Sequence, residues 1–114
     1  MMYNDAIVSF FKTSSEIIIY GAGIIGKKLE EKFRQNDIHL SYFAVTSQVE
    51  NDRYYRDIKI LPIESLLSMK ENATIIIAVA EKNQYEIYSN LKRYGFVNIY
   101  RVDEVMRKWI DDSL

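Results

Sequence analysis

The stretch Ile17-Ile18-Ile19-Tyr20-Gly21-Ala22-Gly23-Ile24-Ile25-Gly26 joins an apolar, β-branched run to a Gly-x-Gly-x-x-Gly motif. A helical pattern follows it directly, in residues 27–34. A strand, this motif and a helix in succession are typical of the phosphate-binding turn of a dinucleotide-binding βαβ unit. In such a unit Gly21 permits the tight turn, Gly23 lets the backbone approach a pyrophosphate, and Gly26 lets the helix pack closely against the strand.

The hydrophobic pattern of the whole chain predicts an α/β fold, a Rossmann-like doubly wound sheet. Strands are predicted at 16–20, 38–45, 58–61, 74–79 and 97–100. Helices are predicted at 5–12, 24–35, 62–69, 83–94 and 103–110. Because the elements alternate and crossovers are right-handed, we expect a parallel sheet of about five strands in the order 3-2-1-4-5, with helices on both faces. That order places a ligand crevice at the carboxyl ends of the first and fourth strands.

The motif also predicts the binding residues. The free N–H groups and the positive dipole end of the helix after the turn would face an anion. We expect two more residues, each following a strand, to line the crevice. The complete predicted cofactor-binding set is Gly21, Ala22, Gly23, Ile24, Ile25, Gly26, Thr46 and Ala80. The sequence leaves the ligand open between NAD(P), coenzyme A and a nucleotide sugar.

Length and composition restrict the class of protein. The 114 residues, 48% of them hydrophobic, predict one domain over 1–114, which is either free-standing or a piece of a longer protein. A net charge of −1 gives no basic field for nucleic acid, so no nucleic-acid partner is expected. The chain has no cysteine, and no apolar run approaches a membrane span. No signal peptide is visible, and we expect a cytoplasmic protein.

The second predicted strand lacks the acid that holds a ribose hydroxyl in NAD-binding units. That acid is expected about 20 residues past the motif, where the chain has Thr46. Glu50 and Asp52 lie in the predicted loop that follows. Arg53 and Arg56 in the same loop could instead hold an extra phosphate, as in NADP or coenzyme A, or could simply be solvated.

The sequence predicts no catalytic and no metal-binding residue. His39 is the only histidine, and we expect it at the end of its strand away from the crevice. Two Tyr-x-x-x-Lys spacings occur, at residues 55–59 and 88–92, and with nine tyrosines chance explains both.

The pattern resembles a known group of domains. The segments that carry this resemblance are YGAGIIG, IHLSYFAVT, DIKILPIESL, ATIIIAV and LKRYGFVNIY. They are similar to the small Rossmann-like NAD(P)- or CoA-binding-type N-terminal domains of bacterial surface-polysaccharide proteins, such as nucleotide-sugar dehydratases, sugar acetyltransferases and glycosyl- or phosphocholine transferases. The resemblance implies a role in sugar-nucleotide metabolism, with the chemistry in a fused or partner transferase domain.

Three functions are consistent with these patterns. The first is a non-catalytic nucleotide-binding module, as the resemblance implies. The second is a minimal NAD(P)-dependent oxidoreductase or epimerase that uses Tyr88 and Lys92. The third is a structural or oligomerisation domain. It would form a homo-oligomer through an exposed aromatic face, for which the candidates are Phe96, Tyr100 and Trp109.

Overall fold

The computed structural model of the protein describes residues 2–46 and 53–112. Its helices and strands alternate through most of the chain. In chain order they are helix α1 (Met2–Lys12), strand β1 (Glu16–Tyr20), helix α2 (Ile24–Gln35), strands β2 (Tyr42–Val45), β3 (Tyr54–Tyr55) and β4 (Ile58–Pro62), a 3-10 helix (Ile63–Met69), strand β5 (Ala73–Ile77), helix α3 (Glu81–Tyr94), strand β6 (Asn98–Arg101) and helix α4 (Glu104–Asp111).

The strands form one mostly parallel sheet in the order β3-β4-β2-β1-β5-β6. The predicted sheet of about five strands in the order 3-2-1-4-5 is therefore corrected, because a sixth strand, β3, is added at one edge. This strand lies where a loop was predicted. The backbone turns back at Arg56, which has a φ of 57°, so that Tyr55 pairs antiparallel with Ile58. A two-residue strand of this kind leaves no period-2 pattern for sequence analysis to detect.

Helices cover both faces of the sheet. On the first face, Ile17 and Ile19 pack with side chains of α1, α2 and α4. On the second face, Ile18 and Tyr20 pack with the 3-10 helix and α3. The continuous apolar runs of β1 and β5 are buried for this reason, because strands in the middle of a parallel sheet are covered on both sides.

Several predicted boundaries and exposures are corrected by the structure. β2 begins at Tyr42, four residues later than predicted, because residues 38–41 lie outside the paired segment. α3 begins at Glu81, two residues earlier than predicted, and its N-cap is Ala80. Phe96 and Trp109, expected on an aromatic surface, are core residues at 1% and 2% exposure. No helix within the described residues is both long and apolar enough to cross a membrane.

We predict that Gly26→Ala destabilises the protein although alanine is the better helix former. A Cβ at this position would overlap the carbonyl oxygen of Gly21. Helix propensity favours alanine by about 1 kcal/mol, whereas forcing extra volume into a packed site typically costs about 1–3 kcal/mol. We therefore expect urea denaturation to give a lower free energy of unfolding for Gly26→Ala.

Gly23→Ala is the matched control, because a Cβ there meets nothing within 4 Å. We expect Gly23→Ala to change the free energy of unfolding by less than about 1 kcal/mol, the scale of an N-cap exchange. Equal stability of Gly26→Ala and the unchanged protein would contradict the close contact between α2 and the turn.

Candidate functional site

Gly21 joins β1 to the turn at the carboxyl end of the sheet. Its φ of 116° lies in the region that favours glycine. A Cβ on Gly21 would lie 2.7 Å from the carbonyl oxygen of Ala78 and 2.8 Å from Cγ1 of Val79. The Gly21 N–H donates to the carbonyl of Ala44 at 2.9 Å, and the Ala78 N–H donates to that of Tyr20 at 2.9 Å. The ends of three neighbouring strands therefore meet at this glycine.

The three glycines of the motif have different steric surroundings. Space for a side chain is missing at Gly21, and at Gly26 a Cβ would overlap the carbonyl of Gly21. Gly23 faces open space, and its φ of −93° is allowed for any residue. Packing within the protein thus explains Gly21 and Gly26, while Gly23 leaves the backbone accessible from outside.

α2 begins directly at this accessible glycine. Gly23 is its N-cap and supplies no side-chain hydrogen bond, and the first intrahelical bond runs from the Lys27 N–H to the Gly23 carbonyl at 3.0 Å. The N–H groups of Ile24, Ile25 and Gly26 come before this bond and have no carbonyl partner within the helix. The first turn contains no acidic residue. The positive end of α2 is therefore suited to an anion.

Thr46 and Ala80, the two residues predicted across the crevice, flank the end of β1. Thr46 follows β2 directly, Ala80 lies three residues after β5, and β1 lies between those strands. Both residues are exposed. Ala80 is also the N-cap of α3 and gives no side-chain cap. The carboxyl edge of the sheet thus has two helix N-termini, those of α2 and α3, on opposite faces.

Tyr20 borders the candidate site, and sequence analysis did not identify it because the pattern shows it only as the last residue of an apolar strand. Its hydroxyl forms a hydrogen bond with Oγ1 of Thr46. Burial of the ring raises the pKa of Tyr20 above its usual value of 10.0; the Thr46 bond lowers it, and the charges of Glu64 and Glu86 raise it further. This bond joins the ends of β1 and β2.

A cationic and aromatic cleft of about 350 Å³ borders the first turns of α2. Tyr55 supplies the aromatic ring of this cleft. Lys27 Nζ lies 5.0 Å from the centroid of that ring, and the Arg56 guanidinium lies 5.4 Å from it. Arg56 is also paired with Glu31 at 2.8 Å. Lys27 has no carboxylate partner within the described residues. Lys27 is therefore the cation here that is best placed to meet a ligand.

Glu30 connects α2 to the turn between β3 and β4. Only 2% of this carboxylate is exposed, and Arg34, which lies four residues further along α2, contacts it at 2.6 Å. Arg34 also reaches Asp57 at 3.0 Å. The hydrogen bond from Arg34 holds the pKa of Asp57 below its usual value. These ion pairs fix the position of Tyr55 beside Lys27.

The other candidates from the sequence do not join this site. Tyr88 and Lys92 lie seven and eleven residues along α3 from Glu81, about 10 and 16 Å from its N-terminus. His39 is exposed beside the C-terminal end of α2, in a cleft that also includes Arg34. Among the described residues, no three histidine or acidic side chains are grouped as a metal site would require. Glu50 and Asp52 lie outside the described residues.

The fold is similar to that of a crystal structure described as RSP, a Rex-family repressor. The TM-score is 0.60 at 16% sequence identity, over 95% of this chain and 62% of the repressor chain. This chain therefore spans less than two thirds of the length of that structure. At this identity the similarity shows the fold alone. No protein-family model and no curated protein matches the sequence.

The comparison corrects one expectation from the sequence. The resemblance to domains of surface-polysaccharide enzymes was wrong, because the similar structure is a repressor and no family model or curated protein supports the resemblance. The expectation that the chain does not bind nucleic acid stays a prediction, as does the cytoplasmic location.

We predict that Tyr20 makes the stability of the protein fall at alkaline pH. The pKa of Tyr20 is raised in the folded protein, mainly by burial. Below pH 10 both states keep the proton; above it the unfolded state loses the proton first, so the free energy of unfolding falls as the pH rises towards the folded pKa. Tyr20→Phe has no such proton to lose. The difference in the free energy of unfolding between the unchanged protein and Tyr20→Phe should therefore become smaller above pH 10, as measured by urea denaturation at a series of pH values.

Tyr54→Phe is a control for loss of a tyrosine at an exposed position on β3. If the stability of Tyr20→Phe and of the unchanged protein decreased in parallel above pH 10, the raised pKa would be refuted.

Proposed function

We propose that this protein is a nucleotide-binding module that holds the diphosphate of a nucleotide at Gly21–Gly26. One observation carries the proposal: a Cβ would clash at Gly21 and Gly26, whereas Gly23 is open and begins a helix without a side-chain cap. An oxygen of the diphosphate would accept hydrogen bonds from the N–H groups of Ile24 and Ile25, and the helix dipole would favour its charge.

The end of β2 would select among nucleotides by the group on the ribose. The residue directly after β2 is Thr46, whose side chain has no carboxylate. A carboxylate there accepts a hydrogen bond from a ribose hydroxyl and repels a ribose phosphate. With an uncharged Thr46 and with Lys27 beside Tyr55, the protein should accept a phosphorylated ribose, as in NADP or coenzyme A.

The similar repressor structure supports the proposal only through the fold. An open α/β sheet binds ligands at the carboxyl ends of its strands, where the chain order reverses direction across the sheet. Here that point lies between β1 and β5. The next strand beyond β1 is β2 on one side, and the next strand beyond β5 is β6 on the other side. The glycine turn is located at this point.

We predict that Gly23→Asp prevents nucleotide binding while it slightly stabilises the fold. The aspartate would cap the free N–H groups of α2, which adds a few tenths of a kcal/mol relative to glycine. It would also occupy and repel the position of the phosphate. Calorimetric titration with NAD, NADP and coenzyme A should show binding to the unchanged protein and at least about tenfold weaker binding to the variant.

Gly23→Asn separates charge from size, because it caps the helix with a neutral side chain of the same size. We expect its affinity to lie between those of Gly23→Asp and the unchanged protein. The proposal fails if the unchanged protein binds none of the three compounds, or if Gly23→Asp binds them as tightly as the unchanged protein does.

We predict that Thr46→Asp changes the preference between NADP and NAD. The new carboxylate would repel the 2′-phosphate of NADP and accept a hydrogen bond from the 2′-hydroxyl of NAD. The ratio of the two dissociation constants should shift towards NAD by about tenfold. Thr46→Asn is the neutral control, and an unchanged ratio in Thr46→Asp would show that Thr46 does not contact the ribose.

A further inference from the structure

Exposed apolar side chains are concentrated around β6, the edge strand remote from β3. The described residues include eight large apolar side chains that are exposed, and six of them lie on α1, α3, β6, α4 or the approach to β6. We call these six the β6 face: Phe10, Tyr85, Tyr88, Val97, Tyr100 and Val105. A cleft of about 640 Å³ runs along β6 and is lined by α3, β6 and the start of α4. A concentration of this kind marks an interaction surface.

The two edges of the sheet differ in their protection against pairing. β3 is two residues long and ends at a turn of charged residues, Arg56 and Asp57, and such features discourage another strand from adding. β6 has four residues, of which only the last, Arg101, is charged, and exposed apolar side chains lie around it. An edge strand presents a row of unpaired N–H and C=O groups, and β6, which is twice as long as β3, offers more of them to another strand.

One exposed stripe of α3 has opposite charges at its two ends. Glu81, Tyr85, Tyr88 and Lys92 are spaced four, three and four residues apart, which places them on one side of the helix. All four are exposed, and the first three border the cleft along β6. Neither Glu81 nor Lys92 has an ion-pair partner among the residues that the structure describes. The stripe is thus acidic at one end, aromatic in the middle and basic at the other, about 16 Å away.

We propose that the β6 face binds a second copy of this chain in a two-fold symmetric dimer. A two-fold axis perpendicular to the sheet would pair β6 antiparallel with β6 of the other copy, and it keeps both copies of α3 on the same face. The two α3 stripes then run in opposite directions. Glu81 of each copy meets Lys92 of the other, and Tyr85 meets Tyr88.

The charges identify a second copy as the occupant. A two-fold interface uses the same patch on both partners, so the patch must complement itself. The α3 stripe complements a second copy of itself only when the two stripes run in opposite directions. Antiparallel pairing of the two β6 strands gives this arrangement. The glycine turn lies two strands away, at β1, so the dimer leaves the proposed nucleotide site open and does not depend on it.

The first test is the mass of the protein in solution. Sedimentation equilibrium should give about twice the chain mass of 13.4 kDa. Tyr85→Glu should weaken the dimer by at least about tenfold, because it places two carboxylates in the centre of the interface. The Tyr85 side chain is 79% exposed, so the fold of the monomer should be unaffected. Tyr54→Glu, at a 54% exposed tyrosine on β3, is the matched control and should leave the dimer intact.

The second test exchanges the charges. Glu81→Lys and Lys92→Glu should each weaken the dimer, because each single variant places like charges opposite each other at both symmetric contacts between residues 81 and 92. The double variant restores opposite charges at both places and should restore the dissociation constant to within about threefold. A monomer at all concentrations would overturn the proposal. So would a dimer that Tyr54→Glu disrupts and Tyr85→Glu does not, or a double variant as weak as the single ones.

Discussion

The steric contact at Gly21 is the constraint on which the rest of the structure depends. Strand β1 can end beside the carbonyl of Ala78 only because Gly21 has no Cβ, and α2 can begin beside Gly21 only because Gly26 has none. Each glycine alone would be an ordinary turn residue. Together they hold the end of β1, the end of β5 and the start of α2 within van der Waals distance, and Gly23 and Ile24 between them are exposed.

A second set of contacts fixes what lies around the turn. The carboxylate of Glu30 is buried, and Arg34 and Arg56 contact it from the surface. This arrangement ties the outermost hairpin of the sheet to α2 and places the Tyr55 ring beside Lys27. A buried carboxylate is costly without such partners. Ion pairs thus hold the turn of this hairpin, while Tyr55 and Ile58 on either side of the turn pack against the core.

The parts of the fold that the sequence could predict are those set by local pattern. The apolar runs of β1 and β5 and the helices that follow them are properties of consecutive residues, and the contact of Gly26 with Gly21 spans only five positions. The clash that excludes a side chain at Gly21 is with Ala78 and Val79, which are distant in sequence. The strand at Tyr54–Tyr55 could not be predicted, because its pairing depends on a left-handed Arg56 and on a distant helix. The bond between Tyr20 and Thr46 joins residues 26 positions apart and has no local signal. The ligand itself is untested, so the predicted site residues stay predictions.

The failed resemblance has a physical reason. Its segments consist largely of residues that pack: Ile60, Ile63 and Leu66 in one, and Leu91 and Phe96 in another, are all buried. Gly95, between them, ends α3 with a φ of 101°. Residues of this kind are required by the sheet and its helices whatever the protein binds, so a match among them reports the fold. A ligand is distinguished instead by a few side chains near the carboxyl edge of the sheet, and in the proposed site these are Thr46 after β2 and Lys27 in the first turn of α2.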